Sequence, residues 1–247
     1  MSVSSTKAAP GMAAAKIVEL GQTSTALSAP VCPKGVSPSQ CFIILTRTTA
    51  VQTTSDGVAY PSKVKSAGWI VAFTVGLSRL STDATTERKF LHTLDTAYGG
   101  TPQVALTVLR PGPKNTFTVV SQSGTLHLIP FLGQVLQEPL SLPPTFTTMT
   151  ALPVKPGDVI GLTVPTWAPV LTYNLTASKY SYRQSRTANC THAAASQTAQ
   201  TTVGASATYL CNYTGTRVQY SATEIVNQPY PKTYVGMPTT TKKPPKK

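Results

Sequence analysis

Gly68-Trp69-Ile70-Val71-Ala72-Phe73-Thr74-Val75-Gly76-Leu77 is the strongest strand signal in the chain. Its β-branched and aromatic residues run on with hardly a polar interruption. Continuous apolar character over so short a length marks a strand buried within a sandwich. Toward the N-terminus, Phe42-Ile43-Ile44-Leu45-Thr46-Arg47-Thr48 reads as a strand partly buried on both faces, and Ile17-Val18-Glu19-Leu20-Gly21 as a first strand. Asp56-Gly57 is a turn signal between polar strands. Toward the C-terminus, Gln103 to Arg110 and Thr116 to Val120 alternate on both arms around Pro111-Gly112-Pro113, which is a hairpin pattern. Residues 125–136, Val159 to Val164, Tyr180-Ser181-Tyr182 and Tyr209 to Tyr220 supply further strands, with Lys155-Pro156-Gly157-Asp158 as a turn. Residues 79–100 gather Asp83, Glu87, Arg88, Lys89, His92 and Asp95, and read as a long loop ending in Gly99-Gly100, with room for one helical turn.

Candidate strands about 8–15 residues apart, separated by Pro/Gly turns, predict an all-β, two-sheet antiparallel β-sandwich. No βαβ alternation and no repeat of fixed period is visible. The 247 residues suit one such domain, over 17–227, between a disordered N-terminal segment (1–16) and a disordered Pro/Thr/Lys-rich tail (228–247).

Hydrophobic residues make up 40% of the chain, enough for a core, but charged residues only 12%, against roughly 25% in a typical soluble domain. The surface is therefore expected to be wetted by Thr, Ser, Gln and Asn. The net charge is +13, from 21 basic and 8 acidic residues. Lys232, Lys242, Lys243, Lys246 and Lys247 crowd the last sixteen residues. A solvated tail accounts for this better than a dedicated patch. No aromatic-interleaved basic motif is present, which argues against a specific nucleic-acid partner.

The four cysteines fall into two local pairs, and three connectivities are open. Local pairing, Cys32–Cys41 and Cys190–Cys211, is preferred over a metal site, because the close Cys and His spacings of zinc sites are missing. Disulfides imply an oxidising compartment, hence a secreted or cell-surface protein. Residues 1–30 hold no apolar run long enough for the core of a signal peptide, so export rests on the cysteines rather than on a visible leader. No stretch of 18 or more apolar residues is present to span a membrane as a helix.

Few catalytic constellations can be assembled. There is no Gly-x-Ser-x-Gly elbow, phosphate-cradling glycine loop or dinucleotide fingerprint. His92 and Asp95 lie together, but a solvated loop is the default reading. Asp56, Asp95, Asp158 and Glu224 are the candidates for a carboxylate pair. Asp56 and Asp158 each sit in a glycine-containing turn, where a side-chain oxygen caps local N–H groups. His127, among Leu126, Leu128 and Ile129, reads as an outward residue, and His192 beside Cys190 is set aside as a metal ligand. No cofactor and no metal is expected.

The aromatic residues are more suggestive. Trp167 lies between Pro165 and Pro169, which argues for an exposed loop contact, whereas Trp69 reads as core. Tyr173, Tyr180 and Tyr182, with Tyr209, Tyr213 and Tyr220, concentrate in the last third. Tyrosines of this kind either form a binding platform or line the sandwich with their hydroxyls toward water. Trp167, Tyr173, Tyr180 and Tyr182 are the candidate binding residues. Asn174-Leu175-Thr176, Asn189-Cys190-Thr191 and Asn212-Tyr213-Thr214 match the glycosylation acceptor pattern.

In order along the chain, Gly21-Gln22-Thr23, Ser55-Asp56-Gly57-Val58 leading to Trp69, Ala105 to Pro111, Phe117-Thr118-Val119-Val120 and Leu152 to Leu162 resemble a group of uncharacterised secreted β-sandwich proteins of actinobacteria. The spacing from Gly57 to Trp69 is longer than in that pattern, and 79–100 is an insert. The resemblance implies export and a jelly-roll-like sandwich, and carries over no catalytic residue. The expected function is a non-catalytic extracellular or cell-surface module binding glycan, cell wall or a protein partner. The alternatives are a structural subunit of a surface layer or appendage, and a carbohydrate-active enzyme using Asp95 or Glu224.

Overall fold

A computed structural model describes residues 15–34, 41, 43–142, 149–188, 190 and 196–226. The two segments expected to be disordered therefore lie outside the described residues, apart from Ala15 and Lys16, the latter opening the first strand. His192, Asn189, Thr191 and the five tail lysines also lie outside them.

The chain is all-β, with two large antiparallel sheets packed face to face. Its strands are β1 (Lys16–Leu20), β2 (Leu45–Ser55), β3 (Val58–Ala59), β4 (Gly68–Gly76), β5 (Gln103–Pro111), β6 (Thr116–Gln122), β7 (Leu126–His127), β8 (Val135–Pro139), β9 (Leu152–Val154), β10 (Val159–Ala168), β11 (Leu171–Thr172), β12 (Ser181–Gln184), β13 (Ser206–Thr208), β14 (Cys211–Thr214), β15 (Arg217–Val218) and β16 (Tyr220–Val226). One sheet runs β1-β16-β4-β8, with β9 also on β4. The other runs β13-β6-β5-β10-β2-β12-β14, with β3 on β2 and β7 on β5; β11 and β15 form a separate pair.

The opening segment is β4, at the centre of the smaller sheet. Ile70, Phe73 and Val75 are fully buried, and meet Leu106, Val108, Ile160, Leu162 and Val164 of the larger sheet in one core. Full burial of each such side chain contributes about 1.5–3 kcal/mol. Asp56-Gly57 makes the hairpin turn predicted for it. Both residues have positive φ (51° and 81°), and Ser55 pairs with Val58 across them, as a two-residue primed turn requires.

Three sequence expectations change. Residues 79–100 are not a loop with one turn, since they contain a 15-residue helix, α1 (Ala84–Tyr98). Asp83 caps it, accepting from Thr86 N at 2.8 Å, and Gly99 closes it at φ 79°. That is the polar-start, glycine-stop pattern of a helix. None of its residues is fully buried, so the core-facing apolar stripe that would have announced it is weak. The hydroxyl-rich residues, in turn, do not simply wet the surface. Thr48, Thr49, Thr107 and Thr163 are fully buried. The Thr163 hydroxyl lies 2.9 Å from that of Thr49 and 2.7 Å from that of Thr107, and the Gln122 amide donates to Thr107 and Thr163. The segment 196–209 closes over this outer face of the larger sheet, where Gln200 N donates to Thr49 Oγ1 and Tyr209 joins Val51, Leu109, Phe117, Val119 and Val159 in a second small core.

The third change concerns Trp167, which is not in an exposed loop. Strand β10 breaks its ladder with β2 after Val164 and resumes at Trp167, opposite Thr46. Pro165 falls in that irregularity, a position where a missing N–H is tolerated. The indole is fully buried and donates through Nε1 to Asp95 Oδ1 at 3.0 Å, tying β10 to α1.

Both local disulfides are present: Cys32–Cys41 with Cα atoms 5.6 Å apart, and Cys190–Cys211 at 5.3 Å. Among the described residues no helix is long and apolar enough to cross a membrane.

Candidate functional site

The aromatic residues singled out from the sequence do not make a platform. Trp167 and Tyr182 are buried, and Tyr180 is only 9% exposed. A buried ring has no free face to offer a sugar. Tyr182 stacks on Tyr213 with centroids 4.9 Å apart, and its hydroxyl accepts from Gln184 Nε2. Tyr173 is half-buried. The acids singled out are also largely committed. Arg110 forks onto Asp158 at 3.0 and 3.2 Å, and Lys155 N donates to the same carboxylate, so Asp158 does cap its turn. Asp95 holds Trp167, and His92 is exposed on α1. His127 is exposed, as an outward residue should be. No group of three His, Cys, Asp or Glu side chains able to hold a metal occurs among the described residues.

The site that the structure does offer is a cleft of about 570 Å³ at one end of the sandwich, between β1 and the segment 56–66. That volume lies in the roughly 300–1,000 Å³ range of ligand pockets. Every residue of β1 lines it, together with Gln22, Thr23 and Ser24, Asp56, Lys63, Lys65 and Ser66, and Glu224 and Val226 of β16.

Glu224 is the unusual group. Strand β16 buries Tyr220, Ala222, Glu224 and Val226 at two-residue spacing, so a carboxyl occupies a position in an otherwise core-facing row. It pairs with Val18 of β1 on one side and Ile70 of β4 on the other. Glu224 is 1% exposed, and its Oε1 has no hydrogen-bond partner. Burial pushes its carboxyl above the ordinary glutamate value. Gly68 leaves room for it. A Cβ there would stand 3.0 Å from Glu224 Oε1 and 2.3 Å from the Ile225 carbonyl oxygen.

Asp56, a half-buried carboxylate of the same cleft, is held in the opposite way. Thr23 Oγ1 (2.5 Å) and Thr25 N (2.7 Å) donate to Oδ2, while Thr25 Oγ1 (2.7 Å) and the Tyr180 hydroxyl donate to Oδ1. Burial alone would raise its pKa, but these bonds outweigh it and hold the carboxyl well below the usual range. Four donors fill the acceptor positions of a carboxylate. Asp56 therefore pins the strand-to-loop segment 23–25 instead of capping its own turn, and has no lone pair left for a substrate. From the other side, Arg217 donates to the carbonyls of Thr25 (2.8 Å) and Ala26 (3.3 Å).

At the rim stand Lys16, Lys63 and Lys65, exposed and in no ion pair among the described residues. Glu19 is exposed beside them and accepts from Thr223 Oγ1 at 2.7 Å. The cleft thus presents three ammonium groups and the Glu19 carboxylate outside, and a buried carboxyl oxygen, Glu224 Oε1, without a partner inside. Sequence reasoning named Glu224 only as one of a few acids. The signal for its site was an acid at an inward position of an apolar alternation, visible only once the register of β16 is known. Comparison with protein-family models, curated proteins and solved structures found no match.

Proposed function

We propose that this chain is a non-catalytic extracellular or cell-surface module that binds an envelope glycan in the cleft between β1 and residues 56–66. The observation that carries the reading is a pocket of ligand size lined by Glu224, whose buried Oε1 lacks a partner. A buried polar atom left unpaired costs about 1–3 kcal/mol, and a ligand donor that reaches it removes that cost. Export is supported by two disulfides with no free cysteine among the described residues, and by the resemblance to secreted actinobacterial sandwiches. Glycosidase chemistry is disfavoured, because it needs a second carboxylate facing the first across the substrate, and Asp56 is saturated by protein donors. The test is co-sedimentation of the full chain with insoluble cell-envelope polysaccharide. Retention of the wild type, and its loss on blocking the cleft with Ser66→Trp in a folded variant, supports the reading. Equal retention of both, or retention of neither, refutes it.

A further inference from the structure

Resting on that reading, the cleft also points to the chemistry of its ligand. Among the exposed charges of its lining, three are positive, Lys16, Lys63 and Lys65, and one is negative, Glu19; none of them is in an ion pair among the described residues. Of the three acids in the lining, Asp56 is saturated by Thr23, Thr25 and Tyr180, and Glu19 accepts from Thr223. Glu224 is buried behind them. A cationic ligand would meet three ammonium groups against the single exposed carboxylate of Glu19. A neutral ligand would leave those groups unused, and a simple anion would leave Glu224 Oε1 without a donor. A unit carrying both an acid group and hydroxyls satisfies both ends. We propose that the cleft takes an acidic sugar or polyol unit, its hydroxyls donating to Glu224 and its anion held by Lys63 and Lys65, with Lys16 beside them. Carboxylate and phosphate share this chemistry, and the ligand panel separates them.

The experiment is calorimetric titration of the full chain with a galacturonate hexamer, a glycerol-phosphate oligomer and maltohexaose. One or both acidic probes are expected to bind at least about tenfold tighter than maltohexaose, with affinity falling as salt rises. Whichever acidic probe binds identifies the acid group. Lys63→Ala/Lys65→Ala is expected to reduce that affinity at least about tenfold. Glu224→Ala reduces it similarly, whereas Glu224→Gln, whose amide oxygen accepts the same hydroxyl, stays within about threefold. Circular dichroism and melting confirm that each variant is folded, and Glu224→Gln keeps the test open if Glu224→Ala does not fold. If maltohexaose binds as tightly as the acidic probes, the acidic-unit inference fails while the binding-module reading stands. Acidic binding indifferent to the Lys63/Lys65 and Glu224 substitutions also overturns it. If none of the three probes binds and envelope polysaccharide is not retained either, both readings fall together.

Discussion

Asp56 and Glu224 line one cleft but are held differently: half-buried Asp56 receives four donors, while fully buried Glu224 has none on Oε1. Their contributions to stability should therefore run in opposite directions with pH. The folded value of Asp56 is depressed, so its stabilisation is present above the unfolded value of about 3.9 and is lost as pH falls through the folded value. Asp56→Asn is expected to lower stability by about 1–3 kcal/mol at pH 7, with the gap to wild type narrowing toward pH 2 in urea melts. The folded value of Glu224 is raised, so the native state holds its proton more tightly. The group then costs stability as pH rises above the unfolded value of about 4.3. Glu224→Gln is expected to gain about 1–2 kcal/mol at pH 7 and nothing at pH 3.5. A gain that persists unchanged at pH 3.5 would show that desolvation of the charge is not its source.

Helix α1 hangs on few contacts. It has no fully buried residue, and its ties to the sheet include Trp167 Nε1 to Asp95 and Arg47 Nε to the Tyr98 carbonyl at 3.2 Å. Trp167→Phe keeps most of the buried ring area but leaves Asp95 without its donor. It is expected to cost about 1–3 kcal/mol and to speed amide exchange over residues 84–98 more than over β4 or β10. Uniform exchange acceleration across the sheets would mean that the bond does not moor the helix locally. This element also marks the limit of what the sequence shows. Strands β4, β5, β6 and β10 were legible because their side chains face a core at period two or in unbroken apolar runs. Helix α1 was not, although Asp83 and Gly99 are ordinary cap residues, because its inner stripe is only half-buried and mixes Phe90, Leu91, Leu94 and Tyr98 with the charged Glu87 and Asp95. Trp167 was misplaced because Pro165 and Pro169 resemble loop punctuation, and only the pairing partner, Thr46, reveals that β10 continues across the irregularity. Tyr180 and Tyr182 were read as a possible platform, but the Tyr180 hydroxyl serves Asp56, 124 positions away, and the Tyr182 hydroxyl accepts from Gln184 of its own strand, while its ring is buried against Tyr213 of β14, a partner no local pattern encodes.

At the level of the whole molecule, two sheets share one core, and the disulfides lie at its margins. They join residues 9 and 21 positions apart. In loop-closure terms, a bridge over about 15 residues contributes about 3 kcal/mol. Reduction is expected to lower the melting temperature by several degrees while leaving the β-rich far-ultraviolet spectrum intact at 25 °C, because the core between the sheets does not depend on either bridge. The two-sheet fold was readable from strand spacing alone, and the local disulfide pairing was the preferred of three. The cleft was not readable, since it is made where β1, β16 and the segment after the Asp56-Gly57 turn converge from distant parts of the chain. Its role as the ligand site is the central claim. The direct measurement is a two-dimensional amide NMR titration of the full chain with an acidic oligosaccharide that binds it. Shift changes concentrated at residues 16–24, 56–66 and 224–226 are predicted. Changes centred instead on α1, the 196–209 cover or the Tyr182–Tyr213 stack would contradict it.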